Sequence, residues 1–534
     1  MLWSLVQGLA VLIGLLAIGL LAVRLLNPLP PLEPRQHSHR LTDTGDTRLG
    51  RGIAELRAGH DDLSGIHVLQ EGEEAFAARV LLARAATRSL DVQYYIWRKD
   101  LSGTLLLETL LAAAERGVRV RMLLDDNGIA GMDEILAALD RHPNVEVRLF
   151  NPFVVRSPKI IGYATDFVRL NRRMHNKSFV ADGQAAIIGG RNIGDEYFSA
   201  TDGPLFADLD VLAIGPVVNA VAEDFDRYWA SRSAYPASRI LPGTDREARA
   251  VLLSDPAEAG RKAAADAYLA AVAELSFMDE VLAGTLLFEW ASVRMISDDP
   301  AKGIGGGAPE NLLLHALVEA VGEPRDEVRL ISGYFVPTQA GVDALGAFAK
   351  DDVSVAVFTN SFAAGDVWIV HAGYAPYRRA LLEKGIRLFE MRGPPEGEPH
   401  QRRRLGTAGS GSGLASDGGP VLRSSASTLH AKTFAVDRER LFIGSFNFDP
   451  RSIHLNTELG FLIQSPRLAA AVSERFETRI PDNAYEVVLA GDGALNWIER
   501  REGREIVHVE EPGMTRMQRA GVWLLSHLPI EWLL

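Results

Sequence analysis

One pattern of polar residues occurs twice in this chain, with the same spacing at every step. Each copy reads H-x-K-x4-D-x6-G-x2-N, and the copies begin at His175 and at His430. Apolar positions between the polar ones also agree, as where Ile188 matches Ile443. A single short motif often arises by chance, whereas two copies in register indicate a duplicated unit. The chain is therefore expected to fold as two related halves.

The residues of the motif predict a site for an anion. In a β-strand, residues two positions apart point to the same face, so each histidine projects beside its lysine. Burying such a pair is costly without an anion or a paired acid, and an anionic ligand would relieve that cost. Each asparagine is expected to return beside this face as an amide donor, and each aspartate to close a turn or hold a neighbouring backbone. These residues are His175, Lys177, Asp182 and Asn192 in the first copy and His430, Lys432, Asp437 and Asn447 in the second.

An orienting carboxylate is also predicted for each histidine. Aligning residues 208–216 with residues 458–466 matches Asp208 to Glu458. A carboxylate that accepts from one imidazole nitrogen sets the tautomer and leaves the other nitrogen free to attack or to carry a proton. In the first half, Asp210 is a competing candidate. A metal site is disfavoured, because the lysines would repel a divalent ion and the chain has no cysteine to supply thiolates.

The paired H-x-K-x4-D motifs resemble the HKD signature of the phospholipase D superfamily, and the resemblance covers both halves. Four longer stretches are similar to the bacterial cardiolipin synthase C branch of that superfamily, namely residues 171–179, 189–195, 206–211 and 371–378. The resemblance implies a two-step transfer through a phosphohistidine, with no metal or organic cofactor.

Roles for individual residues follow from that resemblance. His175 is the implied nucleophile and His430 the implied acid and base, although the near-symmetry of the copies leaves this assignment open. His371, Tyr374 and Arg378 lie in one of the similar stretches and are candidate head-group ligands, while an ordinary helix start explains them about as well.

Apolar strands alternate with helical stretches in both halves, which predicts an α/β fold. We expect two fused phospholipase D-like α/β/α sandwich halves, related by a pseudo-twofold axis, with the site at their junction. The predicted units are a transmembrane helix (1–26), a linker (27–60), the first half (61–232), a connector (233–310), the second half (311–490) and a C-terminal tail with an amphipathic segment (491–534). The Gly/Ser-rich stretch 406–427 is predicted to be a loop, either a tolerated insertion or a flap at the mouth of the site.

Residues 2–23 are almost uninterruptedly apolar, which is enough to cross a bilayer. A signal peptide is the alternative, but no basic start or A-x-A cleavage site is clear. Arg24, Arg35 and Arg40 follow the span and none precedes it, so the body is predicted on the cytoplasmic side of the bacterial inner membrane. Residues 514–534 are expected either to lie at the membrane interface or to pack on the protein body.

The net charge of −13 weighs against binding to nucleic acid, which relies on lysine and arginine. The predicted function is phosphatidyl transfer to phosphatidylglycerol, which makes cardiolipin, with phosphatidylethanolamine as a second candidate donor. Phospholipids and the membrane are the predicted partners, and the need for a protein partner stays open. The alternatives are a phospholipase D-type hydrolase, then a membrane-anchored nuclease, and finally an inactive scaffold, which the two complete motifs disfavour.

Overall fold

The computed structural model describes residues 2–201, 205–253, 258–365, 367–393, 428–501 and 503–534. Strands and helices alternate through both halves of these ranges, as the sequence predicts. The Gly/Ser-rich stretch 406–427 lies outside the described residues.

The first half follows an N-terminal helix and a short second helix. Its strands are β1 (Ser64–Leu69), β2 (Ser89–Ile96), β3 (Arg119–Gly128), β4 (Val145–Phe150), β5 (Ser178–Ala181), β6 (Ala185–Gly189), β7 (Phe206–Ala207), β8 (Asp210–Ile214) and β9 (Ala234–Pro236). The helices are α1 (Leu2–Leu26), α2 (Arg48–Leu56), α3 (Gly72–Ala85), α4 (Leu101–Glu115), α5 (Asp133–Asp140), α6 (Lys159–Thr165), α7 (Phe167–Leu170) and α8 (Pro216–Trp229).

The remainder of the chain begins with three connector helices, α9 (Ala248–Leu253), α10 (Glu258–Ala273) and α11 (Ser276–Ala283). Its strands are β10 (Glu289–Ser297), β11 (Glu327–Ser332), β12 (Ser354–Asn360), β13 (Arg387–Met391), β14 (Thr428–Leu429), β15 (Lys432–Val436), β16 (Arg440–Gly444), β17 (Leu459–Gln464), β18 (Ala484–Leu489), β19 (Leu495–Arg501) and β20 (Arg504–His508). The helices are α12 (Leu313–Val321), α13 (Thr338–Lys350), α14 (Trp368–Tyr374), α15 (Arg378–Glu383), α16 (Pro450–His454), α17 (Pro466–Glu477), α18 (Arg479–Asn483) and α19 (Arg516–Ser526).

Strand pairing repeats from one half to the other. The first sheet has the order β1-β8-β6-β5-β2-β3-β4-β9, and the second has the order β10-β17-β16-β15-β11-β12-β13-β18. In each sheet the central strands, β2-β3-β4 and β11-β12-β13, are parallel. Antiparallel pairing of β1 with β10 joins the two sheets. The predicted architecture of two fused α/β halves is confirmed.

Both faces of each sheet are covered, which explains the long apolar strands. Every residue of β2 is buried, as is typical of strands with packing on both faces. Helices α3, α4 and α5 cover one face of the first sheet. The two halves share a buried cluster that includes Ile188 and Val211 from the first half and Ile443 and Phe461 from the second. This shared core fixes how the two motif copies meet.

The structure draws the unit boundaries differently from the sequence prediction. Strand β9 falls in the predicted connector but pairs with β4 of the first sheet. Strand β10, also in that range, pairs with β17 of the second sheet. The predicted C-terminal tail contributes β19 and β20, which extend the second sheet beyond β18. These strands take their partners from distant parts of the chain, so sequence spacing did not indicate them.

Helix α1 carries the one candidate membrane span in the part of the chain that the structure describes, Trp3–Leu26, and its apolar window is entirely unburied. Its C-terminal end meets the body at α6, where Arg24 donates a hydrogen bond to the Thr165 carbonyl at 3.2 Å. The chain then runs along the first half to Thr44, whose hydroxyl accepts from Gln184 at 2.9 Å in the turn between β5 and β6. That turn lies at the end of the sheet remote from His175.

Candidate active site

Both motif histidines stand at the same end of their sheets. His175 lies three residues before the start of β5, and His430 lies two residues before the start of β15. The matched acids, Asp208 and Glu458, lie just before β8 and β17. Strands β5, β6 and β8 are successive antiparallel neighbours, as are β15, β16 and β17. In each half the histidine and the acid therefore lie at the same end of the strands.

The histidines are paired with the acids of the opposite half. The Nδ1 atom of His175 lies 2.8 Å from Oε2 of Glu458. The Nδ1 atom of His430 lies 2.5 Å from Oδ2 of Asp208. In each pair the carboxylate accepts the Nδ1–H, which leaves Nε2 to face the site. The Nε2 atom of His430 is buried and has no hydrogen-bond partner among the described residues.

Backbone hydrogen bonds across the halves hold this exchange in place. The amide of His175 donates to the Thr457 carbonyl at 2.9 Å, one residue before Glu458. The amide of His430 donates to the Ala207 carbonyl at 2.8 Å, one residue before Asp208. Since both contacts join a motif to the other half's acid segment, the two clusters form one site rather than two.

The lysines lie inside this site and influence both histidines. The ammonium of Lys177 donates to the His175 carbonyl at 2.6 Å, and that of Lys432 donates to the His430 carbonyl. Burial lowers the pKa of Lys177 well below its usual range. Burial, Lys177 and Lys432 together lower the pKa of His175. Burial, followed by the charge of Lys432, lowers the pKa of His430. Burial and the neighbouring ammonium groups therefore disfavour positive charge on these side chains, and a bound anion would oppose this effect.

The two acids differ in their environment. Burial raises the pKa of Glu458 to about 7, although Lys177 and Ser445 oppose the rise. Burial acts in the same sense on Asp208, but the charges of His430 and Lys432 outweigh it and hold the pKa of that carboxyl below its usual range. His175 and His430 are thus chemically distinct despite the repeated motif.

Sequence reasoning missed Ser445 and the aromatic walls of the site. The Ser445 hydroxyl donates to Oε2 of Glu458 at 2.5 Å. The matching position in the first copy is Gly190, where a Cβ atom would lie 2.0 Å from Oδ1 of Asp208. The Tyr95 ring lies edge-on to His175, with 4.9 Å between centroids. Ser445 directly follows the repeated glycine and replaces Gly190 of the first copy, a difference that the sequence shows, whereas no sequence signal marked Tyr95.

The other motif residues serve the scaffold around the site. Asp182 accepts backbone hydrogen bonds at 2.8 Å from both Arg88 and Ser89, at the start of β2. Asp437 does the same at the start of β11, where its Oδ1 accepts from the amide of Asp326 at 2.8 Å. The competing candidate Asp210 is paired with Arg79 at 2.7 Å and does not contact either histidine through any described hydrogen bond.

The two asparagines are placed differently from each other. The Asn192 amide nitrogen donates to the Tyr197 hydroxyl at 3.0 Å, and its oxygen accepts from the Ile96 amide at 3.2 Å. Its side chain is thus engaged by the protein. Asn447 is buried and its side-chain oxygen lacks a hydrogen-bond partner within the described ranges.

The candidate head-group residues are buried in an ion-pair network. Arg378 contacts Glu390 at 2.6 Å and Glu511 at 2.8 Å. His371 contacts Glu511 at 2.9 Å, and the Tyr374 hydroxyl donates to Glu390 at 2.9 Å. This network ties the C-terminal segment to the second half. His371 and Tyr374 also line a cavity with Tyr334, whose ring lies 6.3 Å from that of His430, and the head-group role of the three residues stays a prediction.

No group of three or more His, Asp or Glu side chains arranged to hold a metal ion occurs among the described residues. The groups that can do chemistry here are the two imidazoles, their carboxylates and the two ammonium groups. Two imidazoles with free Nε2 atoms suit nucleophilic attack on one side of a phosphorus atom and proton transfer on the other.

Comparison with known proteins agrees with this geometry. The family described as "Cardiolipin synthase, PLD-like domain" matches residues 81–229 and 317–480, one segment in each half. Cardiolipin synthase C of Escherichia coli strain K12 is 46% identical over 489 residues, which is 91% of this chain and 100% of that protein. Cardiolipin synthase A of Pseudomonas syringae pv. syringae strain B728a is 28% identical over 74% of this chain and 64% of that protein.

Among solved structures, phosphatidylserine synthase of Haemophilus influenzae Rd KW20 superimposes with a TM-score of 0.55. It covers 90% of this chain and 100% of its own at 14% identity, and therefore shows a shared fold. The histidine of each HKD motif is paired with the acid of the other half, and the family match extends over both motifs. The chain belongs to the phospholipase D-like family of cardiolipin synthases.

Proposed function

We propose that this protein makes cardiolipin by transferring a phosphatidyl group from a donor phospholipid to a hydroxyl of phosphatidylglycerol. The observation that carries the proposal is the exchange of acids between halves, His175 with Glu458 and His430 with Asp208. This pairing places two imidazoles, each oriented by a carboxylate, in one site that is suited to bind an anion. The relatives named cardiolipin synthase supply the lipid class.

In the first step, Nε2 of His175 attacks the phosphorus of the donor phosphodiester. The bond from phosphorus to the departing alcohol oxygen breaks, and protonated His430 gives its proton to that oxygen. Glu458 stabilises the positive charge that develops on His175, and the bound phosphodiester favours the protonated form of His430. Lys177 and Lys432 would hold the non-bridging oxygens.

In the second step, His430 takes the proton from a hydroxyl of phosphatidylglycerol. The hydroxyl oxygen then forms a bond to phosphorus while the phosphorus–nitrogen bond to His175 breaks. The first step needs a neutral nucleophile, and the low pKa of His175, caused by its burial and the two lysines, meets this need. The pKa of His430 is lowered too, so the choice of His175 as the nucleophile rests on the family resemblance. Hydrolysis differs only in that water replaces the acceptor alcohol, so exclusion of water decides the outcome.

The test uses full-length protein in vesicles with labelled phosphatidylglycerol, with and without phosphatidylethanolamine. We expect labelled cardiolipin as the main product in at least one mixture. Phosphatidic acid alone would indicate a hydrolase, and absence of any phosphodiester turnover would indicate a scaffold. A rise in cardiolipin on adding phosphatidylethanolamine would identify that lipid as the donor.

We propose further that α1 anchors the protein in the bacterial inner membrane with the body in the cytoplasm. Arg24, Arg35 and Arg40 all follow the span, as the positive-inside rule requires for that orientation. A single cysteine at exposed Leu56, labelled with a membrane-impermeant maleimide, should react only after spheroplasts are lysed. Labelling of intact spheroplasts would reverse the orientation.

A further inference from the structure

The C-terminal helix packs on the body through one face and leaves another apolar face open. Val522 of α19 is buried against Phe362 and Ala372. On the outer side, Trp523 is 63% exposed and Leu524 is 60% exposed. The segment therefore packs on the protein body, as one prediction from the sequence has it. It also presents exposed apolar side chains, as the other prediction, a position at the membrane interface, requires.

A second exposed apolar patch lies beside the N-terminal span. On α6 and α7, Ile160 is 50% exposed and Val168 is 75% exposed. Helix α1 contacts α6, and Arg24 at the end of α1 lies 3.9 Å from Asp166, between α6 and α7. These apolar side chains thus stand where the span meets the body.

Arg451 joins the chain segments that adjoin the two patches. Its guanidinium donates to Oδ1 of Asn171, directly after α7, at 2.6 Å, and to the Leu533 carbonyl at 3.0 Å. Its backbone amide donates to the Leu534 carbonyl at 2.6 Å. One side chain therefore spans the distance between the end of α7 and the end of the chain. Arg451 also donates to the Asn456 side chain at 3.4 Å, two residues before Glu458, so this connection lies on the active-site side of the molecule.

We propose that the two patches form one contact face that rests on the lipid bilayer beside the span. The contact face consists of Ile160, Phe167, Val168, Trp523, Leu524, Leu528 and Trp532, all exposed. Continuity with α1 favours a bilayer over a protein partner, because α1 brings this face to the membrane surface. Tryptophan is also enriched at membrane interfaces, and with a net charge of −13 the contact must rest on apolar groups.

The consequence is that a phospholipid head group can enter the site without the lipid leaving the bilayer. The contact face does not depend on which lipid reaction the site performs, so it can be tested separately. The two patches come from residues more than three hundred positions apart, and only their joint contact with lipid distinguishes one face from two unrelated patches.

The chain has no cysteine, which permits single-cysteine variants of the full-length protein. Val168→Cys, Trp523→Cys and the control Leu56→Cys would carry an environment-sensitive fluorophore in vesicles of phosphatidylcholine and phosphatidylglycerol. Leu56 is 41% exposed and ends α2, at the end of the sheet remote from His175. We expect spin-labelled lipids to quench the labels at 168 and 523 at least threefold more than the label at 56. Quenching of either at the level of the control would overturn the proposal.

A second measurement separates the contact face from the chemistry. The double variant Trp523→Asp, Leu524→Asp should lower lipid turnover in vesicles about tenfold while turnover in detergent micelles stays at the wild-type level. The control Leu56→Asp should change neither rate. Equal losses in vesicles and micelles would mean that the segment supports the fold or the site directly, contrary to the proposal.

Discussion

Nδ1 of His175 lies 2.8 Å from Oε2 of Glu458, although 283 residues separate them along the chain. The reciprocal pair, His430 with Asp208, spans 222 residues. Each half therefore holds a histidine that it cannot orient by itself. The candidate active site is complete only where the halves are packed together, and neither half is expected to be active alone.

Removing the charge of either orienting acid should disable the site without unfolding it. Glu458→Gln and Asp208→Asn keep the size of each side chain but give up the carboxylate that fixes the imidazole. We expect lipid turnover to fall about 100-fold or more in each variant. Circular dichroism would verify the fold, and near-normal turnover in either variant would contradict the pairing.

The two histidines should differ when the phosphoenzyme is trapped. His175→Ala and His430→Ala should each abolish transfer, since one removes the nucleophile and the other the proton donor. Denaturation of the reaction mixture with SDS at alkaline pH should trap a labelled, acid-labile phosphoenzyme only in protein that retains His175. An adduct that persists in His175→Ala protein would reverse the two roles.

The rate should depend on pH through Glu458. Burial raises the pKa of this carboxyl to about 7, and its ionised form is needed beside His175. Turnover should therefore fall as pH drops through about 7. The Ser445 hydrogen bond lowers this pKa, so Ser445→Ala should move the acid limb of the pH–rate profile to higher pH. An unmoved limb, measured from pH 5 to 9, would exclude Glu458 as the titrating group.

The network around Arg378 should affect stability more than substrate binding. Glu511→Gln leaves the buried Arg378 guanidinium with less compensation, and we expect a loss of about 3 kcal/mol in the free energy of unfolding. The control Glu383→Gln removes an exposed partner of Arg379 and should change stability by less than about 0.5 kcal/mol. A raised KM with unchanged thermal unfolding would instead support the head-group role predicted for His371, Tyr374 and Arg378.

Much of the fold was readable from the sequence because its signals are local. Apolar runs between helical stretches predict the strands β2, β3 and β4 and their counterparts β11, β12 and β13. The repeated motif predicts two halves. The sequence prediction places the residues of strands β9, β10, β19 and β20 in a connector or in a tail. Their role depends on partners far along the chain, such as β4 for β9 and β17 for β10, and local patterns carry no information about such pairing.

Two histidines, two lysines and two matched acids could be predicted as the candidate groups from the sequence alone, because the duplicated motif keeps their spacing. The tertiary structure was needed to show which acid is hydrogen-bonded to which histidine. It also shows that Asp210 is ion-paired with Arg79 and that Arg378 contacts the C-terminal segment. These choices follow from the packing of one half against the other. A buried charge is stabilised mainly by the opposite charge nearest to it. Which groups are near each other in the folded protein does not follow from their order along the chain.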